Sequence, residues 1–479
     1  MLRVVEQLQP ALQQKDRVRQ NGIVRQLVEM HAPMGDQWQA LANLVLGNGE
    51  CTLARQAMDM FVEEQGGAPQ AKYLKAAILE QSGAMRDAYD LMCTLPRDVP
   101  DPAANAYSRG TAALYLGAME EGRRDLERAT RLQPRSGPAW WLLAMSADLG
   151  QATEVADRIL AAGPEMENAP PAHRAPYLYA AGKVHAERGE HGSAFAAIAR
   201  GARDMQSLRR YDREADRRNA LASVQDYDIG RIREIAERQS EATGRAIFVT
   251  GPARSGTTLV EQILTSHSTV GSGGEINRLP LLAREMDGYS YQALVNYVRV
   301  KGVAEVAHLW DHLLTERMPA PGRVVDKSLS TTRMIGLAAA LLPEAPLIWL
   351  TRDPLDRAWS SFRTFFADGL EWSYDLEAIA FFSRLEDALL QRWRDILGDR
   401  LLVVPYERLV TEPEAWIRRI LAHCGLAEEP QVFAPHEAER LVTTASVMQV
   451  RRPINRDGIG PAEPYREFLQ PFITAYGAY

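Results

Sequence analysis

The chain has 479 residues, of which 46% are hydrophobic and 24% are charged, and its net charge is −7. This length allows two or three domains with full cores, and the acidic balance argues against a general nucleic-acid or membrane-surface binder. Cys51, Cys93 and Cys424 lie far apart, so we predict neither a disulfide framework nor a thiolate zinc site. The N-terminus lacks a secretory signal, and no uncharged apolar run approaches the ~18 residues of a membrane span, so we expect a cytoplasmic protein.

A glycine recurs about every 34 residues through the first 200 positions. Gly49, Gly83, Gly117 and Gly150 are 34, 34 and 33 residues apart, and Gly189 follows after 39. Most of these glycines are followed five residues later by alanine or glycine. A helix pair with a glycine in the turn and a small residue at the helix crossing has this pattern, which resembles the tetratricopeptide repeat. We therefore predict an α-solenoid over 1–200, followed by a charged helical linker over 201–245.

The function of the repeats is left open by the sequence. Solenoids of this kind usually bind a peptide or a protein partner on their concave surface. An equally good interpretation is that the repeats only pack on the second domain or form a homodimer.

From residue 246 onward, short apolar strands alternate with helical patterns. The strand candidates are 246–250, 323–326, 346–350 and 401–404. This alternation predicts a parallel, doubly wound sheet whose ligands bind at the carboxyl ends of the strands. The predicted fold class is thus an α-solenoid followed by a P-loop-like α/β domain over 246–479.

The stretch GPARSGTTLVEQIL, residues 251–264, joins the first strand to the next helix. Gly251 and Gly256 have the spacing of a nucleoside-triphosphate loop, but Thr257 replaces the lysine of that loop, and Arg254 lies inside it. Backbone amides at the start of a helix still favour an anion, and arginine can bind it bidentately. We predict a site for one short anionic group, although a glycine turn without a ligand is the alternative. The binding residues are Arg254, Ser255, Gly256, Thr257 and Thr258.

A second motif, LIWLTRDPLDRAWSSF, follows a later strand. Arg352 ends that strand, and Asp353-Pro354 is a natural helix start. Arg352 and Ser360 could hold a second phosphate, although helix capping alone also explains the Arg-Asp-Pro sequence. We predict that the aromatic residues of RAWSSFRTFF belong to the core.

The two motifs together resemble the donor site of sulfotransferases that use 3′-phosphoadenosine 5′-phosphosulfate (PAPS). The resemblance covers roughly 246–455 and is to the tyrosylprotein sulfotransferases in particular, among them bacterial relatives with tetratricopeptide repeats. It rests on ARSGTTL, GSGGEINR, VVDKS, VVPYERLV and SVMQVRRPI. It implies PAPS as co-substrate, 3′,5′-adenosine bisphosphate (PAP) as product and no metal ion. It further implies Glu275, Lys327 and Ser446 as catalytic residues, Arg352 and Ser360 at the 3′-phosphate, and Tyr406, Gln449 and Arg452 beside the nucleotide.

Sulfuryl transfer also explains these residue types chemically. A carboxylate such as Glu275 can take the proton of the acceptor hydroxyl. Lys327 and Ser446 suit the charge that develops on the leaving phosphate. The alternatives are a surface glutamate, a solvated lysine at a strand end and a helix-capping serine. We predict that His267 caps the loop helix and is not a base.

The sequence departs from the family around the acceptor. Asn277 replaces an arginine that grips acidic residues of the peptide, with Arg278 one position away, and we find no stretch like the family's membrane anchor. The resemblance therefore supports the donor more than an acidic tyrosine peptide. Because of the repeats we expect a peptide or protein hydroxyl, and a small molecule or saccharide is the alternative. A P-loop phosphotransferase, such as a nucleoside kinase, and a repeat-based adaptor remain competing hypotheses.

Overall fold

The structure, a computed structural model, describes residues 2–240, 244–437 and 452–477. The chain divides into two units with separate sets of contacts. The first unit consists of Met1–Leu132, Pro280–Asp287 and His308–Pro321, and the second of Gln133–Leu279, Gly288–Ala307 and Gly322–Tyr479. The boundaries predicted near 200 and 245 both lie within the second unit. The division into a repeat domain, a linker and a catalytic domain stays a prediction.

Helices form the regular structure of the described residues up to 240, as the alanine- and leucine-rich composition predicts. Several begin at an aspartate whose carboxylate accepts a hydrogen bond from the first turn, for example Asp16 and Asp101. The helices are α1 (Leu2–Val5), α2 (Leu8–Gln13), α3 (Arg17–Glu29), α4 (Gln37–Gly47), α5 (Cys51–Glu64), α6 (Pro69–Gln81), α7 (Met85–Cys93), α8 (Pro102–Tyr115), α9 (Met119–Leu132), α10 (Gly137–Met145), α11 (Thr153–Ala161), α12 (Gly163–Met166), α13 (Pro171–Glu187), α14 (His191–Leu208), α15 (Arg213–Val224) and α16 (Ile229–Ala236).

Successive helices pack as pairs, with the repeating glycines between them. The pairs are α4 with α5, α6 with α7, α8 with α9, α10 with α11 and α13 with α14. A left-handed φ of 90°, 90°, 84° and 74° occurs at Gly49, Gly83, Gly117 and Gly189, a conformation that glycine adopts without strain. Gly122 shows why a small residue occurs five positions after the glycine of the turn. A Cβ at Gly122 of α9 would lie 3.0 Å from the backbone nitrogen of Leu114 in α8. This pairing agrees with the predicted repeat, and its assignment as a tetratricopeptide repeat stays a prediction.

Within the first unit, the buried Glu50 joins the N-terminal helices to the segment His308–Pro321. Its Oε1 lies 3.0 Å from Nε2 of His312 and 3.1 Å from Nη1 of Arg17. The hydrogen bond to Glu50 and the charge of Glu50 raise the pKa of His312, although burial acts against this. Burial alone would raise the pKa of Glu50, but His312, Arg17 and Arg25 outweigh it, so this pKa is lowered.

We expect this ion pair to stabilise the first unit most between pH 4.5 and 6.5, the ordinary pKa values of the two groups. A raised histidine pKa gives stability that is lost as the pH rises through the folded value. A lowered glutamate pKa gives stability that is lost as the pH falls through its folded value. Thermal unfolding followed by circular dichroism should show the largest difference between the wild type and His312→Ala in this window. A difference that does not change with pH would contradict the assignment.

The described residues after 244 contain five parallel strands and further helices. The strands are β1 (Ala246–Thr250), β2 (Val270–Gly274), β3 (Arg323–Asp326), β4 (Leu347–Thr351) and β5 (Leu401–Pro405), and the helices are α17 (Thr257–Thr265), α18 (Arg278–Glu285), α19 (Tyr291–Lys301), α20 (Val303–Arg317), α21 (Ile335–Leu341), α22 (Pro354–Phe362), α23 (Leu376–Leu397), α24 (Tyr406–Thr411), α25 (Pro413–Cys424) and α26 (Gln470–Tyr476). The predicted parallel sheet is confirmed, and β2 is a strand that the sequence did not predict.

The strand order is β2-β3-β1-β4-β5, and all neighbouring pairs are parallel. Because β1 leads toward β2 on one side and β4 leads to β5 on the other, the connections diverge between β1 and β4. Such a switch point opens a crevice at the carboxyl ends of the strands, where ligands bind in open α/β sheets. The phosphate loop after β1 and Arg352 after β4 lie at this crevice.

Helices α13 and α14 pack against the α/β part of the second unit. Their Tyr179 and Ile198 share a core with Trp359 and Phe362 of α22, and the rings of Phe195 and Phe362 are 5.6 Å apart. The prediction that the aromatic side chains of RAWSSFRTFF are core residues is therefore confirmed for Trp359 and Phe362. One of the alternatives for the repeats was that they pack on the second domain. These two helices pack in that way.

In the part of the chain that the structure describes, no helix is both long enough and apolar enough to cross a membrane.

Candidate active site

The predicted phosphate loop connects β1 to α17. Gly256, the residue before the helix, has a φ of +97°, and a Cβ there would lie 2.5 Å from the ring of Tyr406. Glycine is therefore needed both for the turn and for the contact with Tyr406. The buried hydroxyl of Ser255 donates to the carbonyl of Pro252 (2.7 Å), so Ser255 holds the loop in shape. Thr257 and Thr258 are both buried at the start of α17.

Arg254 extends from this loop toward the second motif. It adopts a left-handed φ of +69°, which is uncommon for a residue with a side chain. Its Nε donates to Oγ of Ser360 (3.0 Å), and its carbonyl accepts from Nη1 of Arg352 (2.9 Å). The structure therefore brings together three residues predicted from two motifs about 100 positions apart.

Arg352 joins three parts of the site. Its Nη2 donates to the carbonyl of Gly458 (2.7 Å), and its guanidinium carbon lies 5.0 Å from the ring centre of Tyr406. Its Nε is buried and has no hydrogen-bond partner among the described residues. Buried polar atoms are normally paired, so this donor fits an anionic ligand.

The helix that carries Ser360 begins as predicted. The carboxylate of Asp353 accepts from the backbone N–H groups of Leu355 (3.0 Å) and Asp356 (2.9 Å), and Pro354 is the first helical residue. Asp356 in turn accepts from the backbone of Gly460 (2.7 Å) and Ala462 (3.0 Å). The helix is therefore capped and tied to the C-terminal segment at the same time.

A third arginine, Arg363, belongs to this cluster and was not predicted. Burial lowers the pKa of Arg254 to about 10, and the charges of Arg363 and Arg352 act in the same direction. Burial, followed by the charge of Arg352, also lowers the pKa of Arg363. Three neighbouring cations disfavour one another, so a bound anion would be favoured here. The signal in the sequence was the position of Arg363 one helical turn after Ser360.

Glu275 and Lys327 form an ion pair at the ends of β2 and β3. Oε1 of Glu275 lies 3.0 Å from Nζ of Lys327. The lysine side chain is 1% exposed and the glutamate side chain 44% exposed, so the carboxylate faces solvent while the lysine is enclosed. The two predicted catalytic residues are therefore in direct contact.

Asp326, immediately before Lys327, is a buried carboxyl that sequence reasoning missed. Its Oδ1 accepts from the backbone N–H of Ser328 (2.9 Å), and this bond fixes the turn that presents Lys327. Burial raises the pKa of Asp326 to about 6, although the hydrogen bonds from Ser328 and the charges of Arg278 and Lys327 oppose this.

Asn277 is tied into the backbone beside Glu275. It has a φ of +50°, and its Nδ2 donates to the carbonyl of Glu275 (3.1 Å). Its Oδ1 accepts from the hydroxyl of Ser330 (3.2 Å). The neighbouring Arg278 is buried, with 7% exposure. Arg278 is thus enclosed in the protein, in contrast to a cation that would grip an acidic peptide.

Four predicted residues remain: Ser446, Gln449, Arg452 and His267. Ser446 and Gln449 lie outside the described residues. Arg452 is exposed and pairs with Asp457 over 3.5 Å on the segment that leads to Gly458. Nδ1 of His267 accepts from the backbone N–H of Thr269 (3.2 Å), which lies beyond the end of α17, so this bond does not cap the helix and the capping role stays a prediction.

Comparison with known proteins finds one family model and several relatives that are similar to this chain. The sequence model described as the sulfotransferase family matches residues 246–430. An uncharacterized protein of Aquifex aeolicus (strain VF5) is 25% identical over 428 residues, which are 86% of this chain and 55% of that protein. A protein-tyrosine sulfotransferase of Drosophila melanogaster is 26% identical over 255 residues, 48% of this chain and 51% of that protein. The chain thus spans about half the length of these relatives.

Solved sulfotransferase structures are also similar to this chain. The sulfotransferase domain of the Synechococcus PCC 7002 olefin synthase is 20% identical and covers 48% of this chain and 97% of its own, with a TM-score of 0.31. A sulfotransferase from Alicyclobacillus acidocaldarius is 18% identical and covers 50% and 95%, with a TM-score of 0.27.

Proposed function

We propose that this chain, which belongs to the sulfotransferase family through residues 246–430, transfers the sulfuryl group of PAPS to a hydroxyl acceptor. The observation that carries the proposal is the contact of Arg254 with both Ser360 and Arg352 at the crevice between β1 and β4. Through this contact, one cluster of cations can bind two phosphate groups. A donor with a 5′-phosphosulfate and a 3′-phosphate requires such a site.

The donor would be held by the residues of this cluster. The loop around Gly256 presents the start of α17 to the 5′ group, and Arg352, Ser360 and Arg363 suit the 3′-phosphate. Tyr406 lies beside the loop and Arg352, where a nucleotide would contact it. The buried Nε of Arg352, which has no partner among the described residues, supports the fit.

The transfer would be an in-line displacement at sulfur. The bond between the acceptor oxygen and sulfur forms while the bond from sulfur to the bridging oxygen of the 5′-phosphate breaks, and PAP leaves. Glu275 accepts the proton of the hydroxyl because its carboxylate is half-exposed and within reach of an incoming group. The enclosed Lys327 stabilises the charge on the leaving oxygen. The role of Ser446 in the same stabilisation stays a prediction.

The acceptor that we favour is a peptide or protein hydroxyl, including that of tyrosine. The Drosophila relative is a protein-tyrosine sulfotransferase, and the paired helices of the N-terminal half, if tetratricopeptide repeats, would offer a peptide-binding surface. A small-molecule or saccharide hydroxyl is the alternative, and the bonded Asn277 beside Glu275 favours it over a strongly acidic peptide.

Isothermal titration calorimetry with PAP and with ATP tests the donor assignment. We expect micromolar-range binding of PAP and little binding of ATP, since the loop lacks the lysine that follows Gly256 in triphosphate loops. Failure to bind PAP would overturn the proposal. Turnover of ATP that depends on magnesium would instead support a phosphotransferase.

A further inference from the structure

A buried carboxylate lies on the helix that begins at the phosphate loop. Glu261 of α17 is only 5% exposed, although it is a charged residue on a helix that packs against the sheet. Burying a carboxylate is unfavourable unless it is hydrogen-bonded or paired. The groups that donate hydrogen bonds to Glu261 therefore indicate its structural role.

Two of those partners belong to the end of β2. Oε1 of Glu261 accepts from the hydroxyl of Ser272 (2.7 Å) and from the backbone N–H of Gly274 (3.1 Å). The pairing of β2 with β3 shifts in register between these same two residues. At Gly273, a Cβ would lie 2.6 Å from the carbonyl of Val325, so the backbone runs tightly against β3. Glu261 supplies an acceptor where the regular strand pairing is interrupted.

Gly274 is held from its other side by the backbone of Lys327. The carbonyl of Gly274 accepts from the N–H of Lys327 (2.8 Å). The next residue, Glu275, forms the 3.0 Å ion pair with the side chain of Lys327. A continuous set of contacts thus runs from the phosphate-loop helix through Glu261 and Gly274 to the two candidate catalytic groups.

We infer that Glu261 is a positioning residue for sulfuryl transfer, which holds the backbone before Glu275 so that its carboxylate faces the acceptor beside Lys327. The inference rests on the proposed function, because it assigns the base of that reaction to Glu275. It adds a link between donor and acceptor, since the same helix begins at the loop for the 5′ group and carries the residue that orients the base. A displacement of the base by about 1 Å can lower a rate about 100-fold.

Three variants of the full chain test this role. We expect Glu261→Ala to lower kcat by about 10- to 100-fold, with the KM for PAPS and the affinity for PAP within twofold of wild type. Glu261→Gln should recover most of kcat because its carbonyl oxygen can still accept both hydrogen bonds. Ser272→Ala removes one donor and should have an intermediate effect, and it carries the test if Glu261→Ala does not fold. The assay follows sulfur-35 from labelled PAPS to a tyrosine peptide and to p-nitrophenol.

The matched control is Glu429→Ala. Glu429 accepts from the backbone N–H of Ser268 (2.8 Å) and from its hydroxyl (2.5 Å) just beyond the other end of α17. It thus offers a similar carboxylate–serine contact that does not involve β2. We expect its kcat to equal that of the wild type. If kcat falls as far in Glu429→Ala as in Glu261→Ala, the effect is one of general stability, and the inference is wrong.

Hydrogen–deuterium exchange gives a readout that needs no substrate. In peptides covering 270–277, we expect faster exchange of the Gly274 amide in Glu261→Ala and wild-type exchange in Glu429→Ala. Unchanged exchange in Glu261→Ala, unchanged kcat, or a parallel loss of PAP affinity would each overturn the inference. A wild-type chain that neither binds PAP nor transfers sulfur would refute the proposed function, whereas the exchange result would still decide whether Glu261 holds Gly274.

Discussion

Replacing Glu275 by glutamine should lower sulfuryl transfer by about 100- to 10,000-fold, the range that general base catalysis contributes. Glutamine keeps the size of the side chain and can still accept from Lys327 at the 3.0 Å contact, but it cannot take a proton from the acceptor. Glutamine is preferable to alanine, because alanine would leave the enclosed amine of Lys327 without this partner.

The affinity for PAP separates this effect from damage to the donor site. We expect it to stay near the wild-type value in Glu275→Gln, since the residues proposed to hold the donor are Arg254, Arg352 and Ser360. Glu414→Gln is a suitable control, because Glu414 pairs with Arg418 over 3.3 Å at the surface. Near-normal turnover of Glu275→Gln under single-turnover conditions would show that the base is a different group.

Replacing Arg254 by alanine should cost the chain most of its affinity for PAP. A hydrogen bond to a charged group contributes about 1.5–3 kcal/mol, which corresponds to a loss of about 10- to 100-fold in affinity. Arg254→Lys should lose less, because it keeps the charge but not the planar fork that binds a phosphate in two places. Calorimetry with PAP measures both variants.

Thermal unfolding provides a second measurement on Arg254→Ala. Without PAP, we expect little change in the unfolding temperature, because removing one of three mutually repelling arginines offsets the lost bond to Ser360. With PAP, the increase seen in the wild type should shrink, since stabilisation by a ligand follows its affinity. Arg418→Ala, a surface variant, should keep the full increase. An undiminished effect of PAP on Arg254→Ala would exclude this arginine from the site.

Local patterns in the sequence were sufficient for the elements that carry most of the site. Strands at 246–250 and 323–326 were predicted with their observed bounds, the strand at 346–350 is shifted by one residue, and the strand at 401–404 is one residue longer. These strands have apolar centres, and β1 and β4 are almost wholly buried, so their hydrophobic sequence identifies them. β2 was missed because GSGG has no apolar run, and its place beside β3 depends on glycine backbone fitting against Val325.

Contacts between residues far apart in the sequence become visible only in the folded chain. The sequence suggested Arg254 for one anionic group and Arg352 with Ser360 for a second phosphate, and the parallel pairing of β1 with β4 brings the loops that carry them together. Arg363 gave only its spacing from Ser360 as a signal, and Asp326 gave none, because burial and neighbouring charge, which shift their pKa values, arise only in the folded chain. The hydrogen bonds of Glu261 with Ser272 and Gly274 likewise could not be predicted from the sequence, because they join side chain and backbone of different elements.

Patterns in the amino-acid sequence are enough to predict a helical half with a glycine period, a parallel α/β part and a glycine loop that lacks the triphosphate lysine. These features depend on periodicity and turn chemistry, which act over a few residues. Only the folded chain shows that Phe195 of α14 packs on α22 and that Glu275 meets Lys327. Those contacts depend on shape and register between elements far apart in the chain, and no local pattern specifies them.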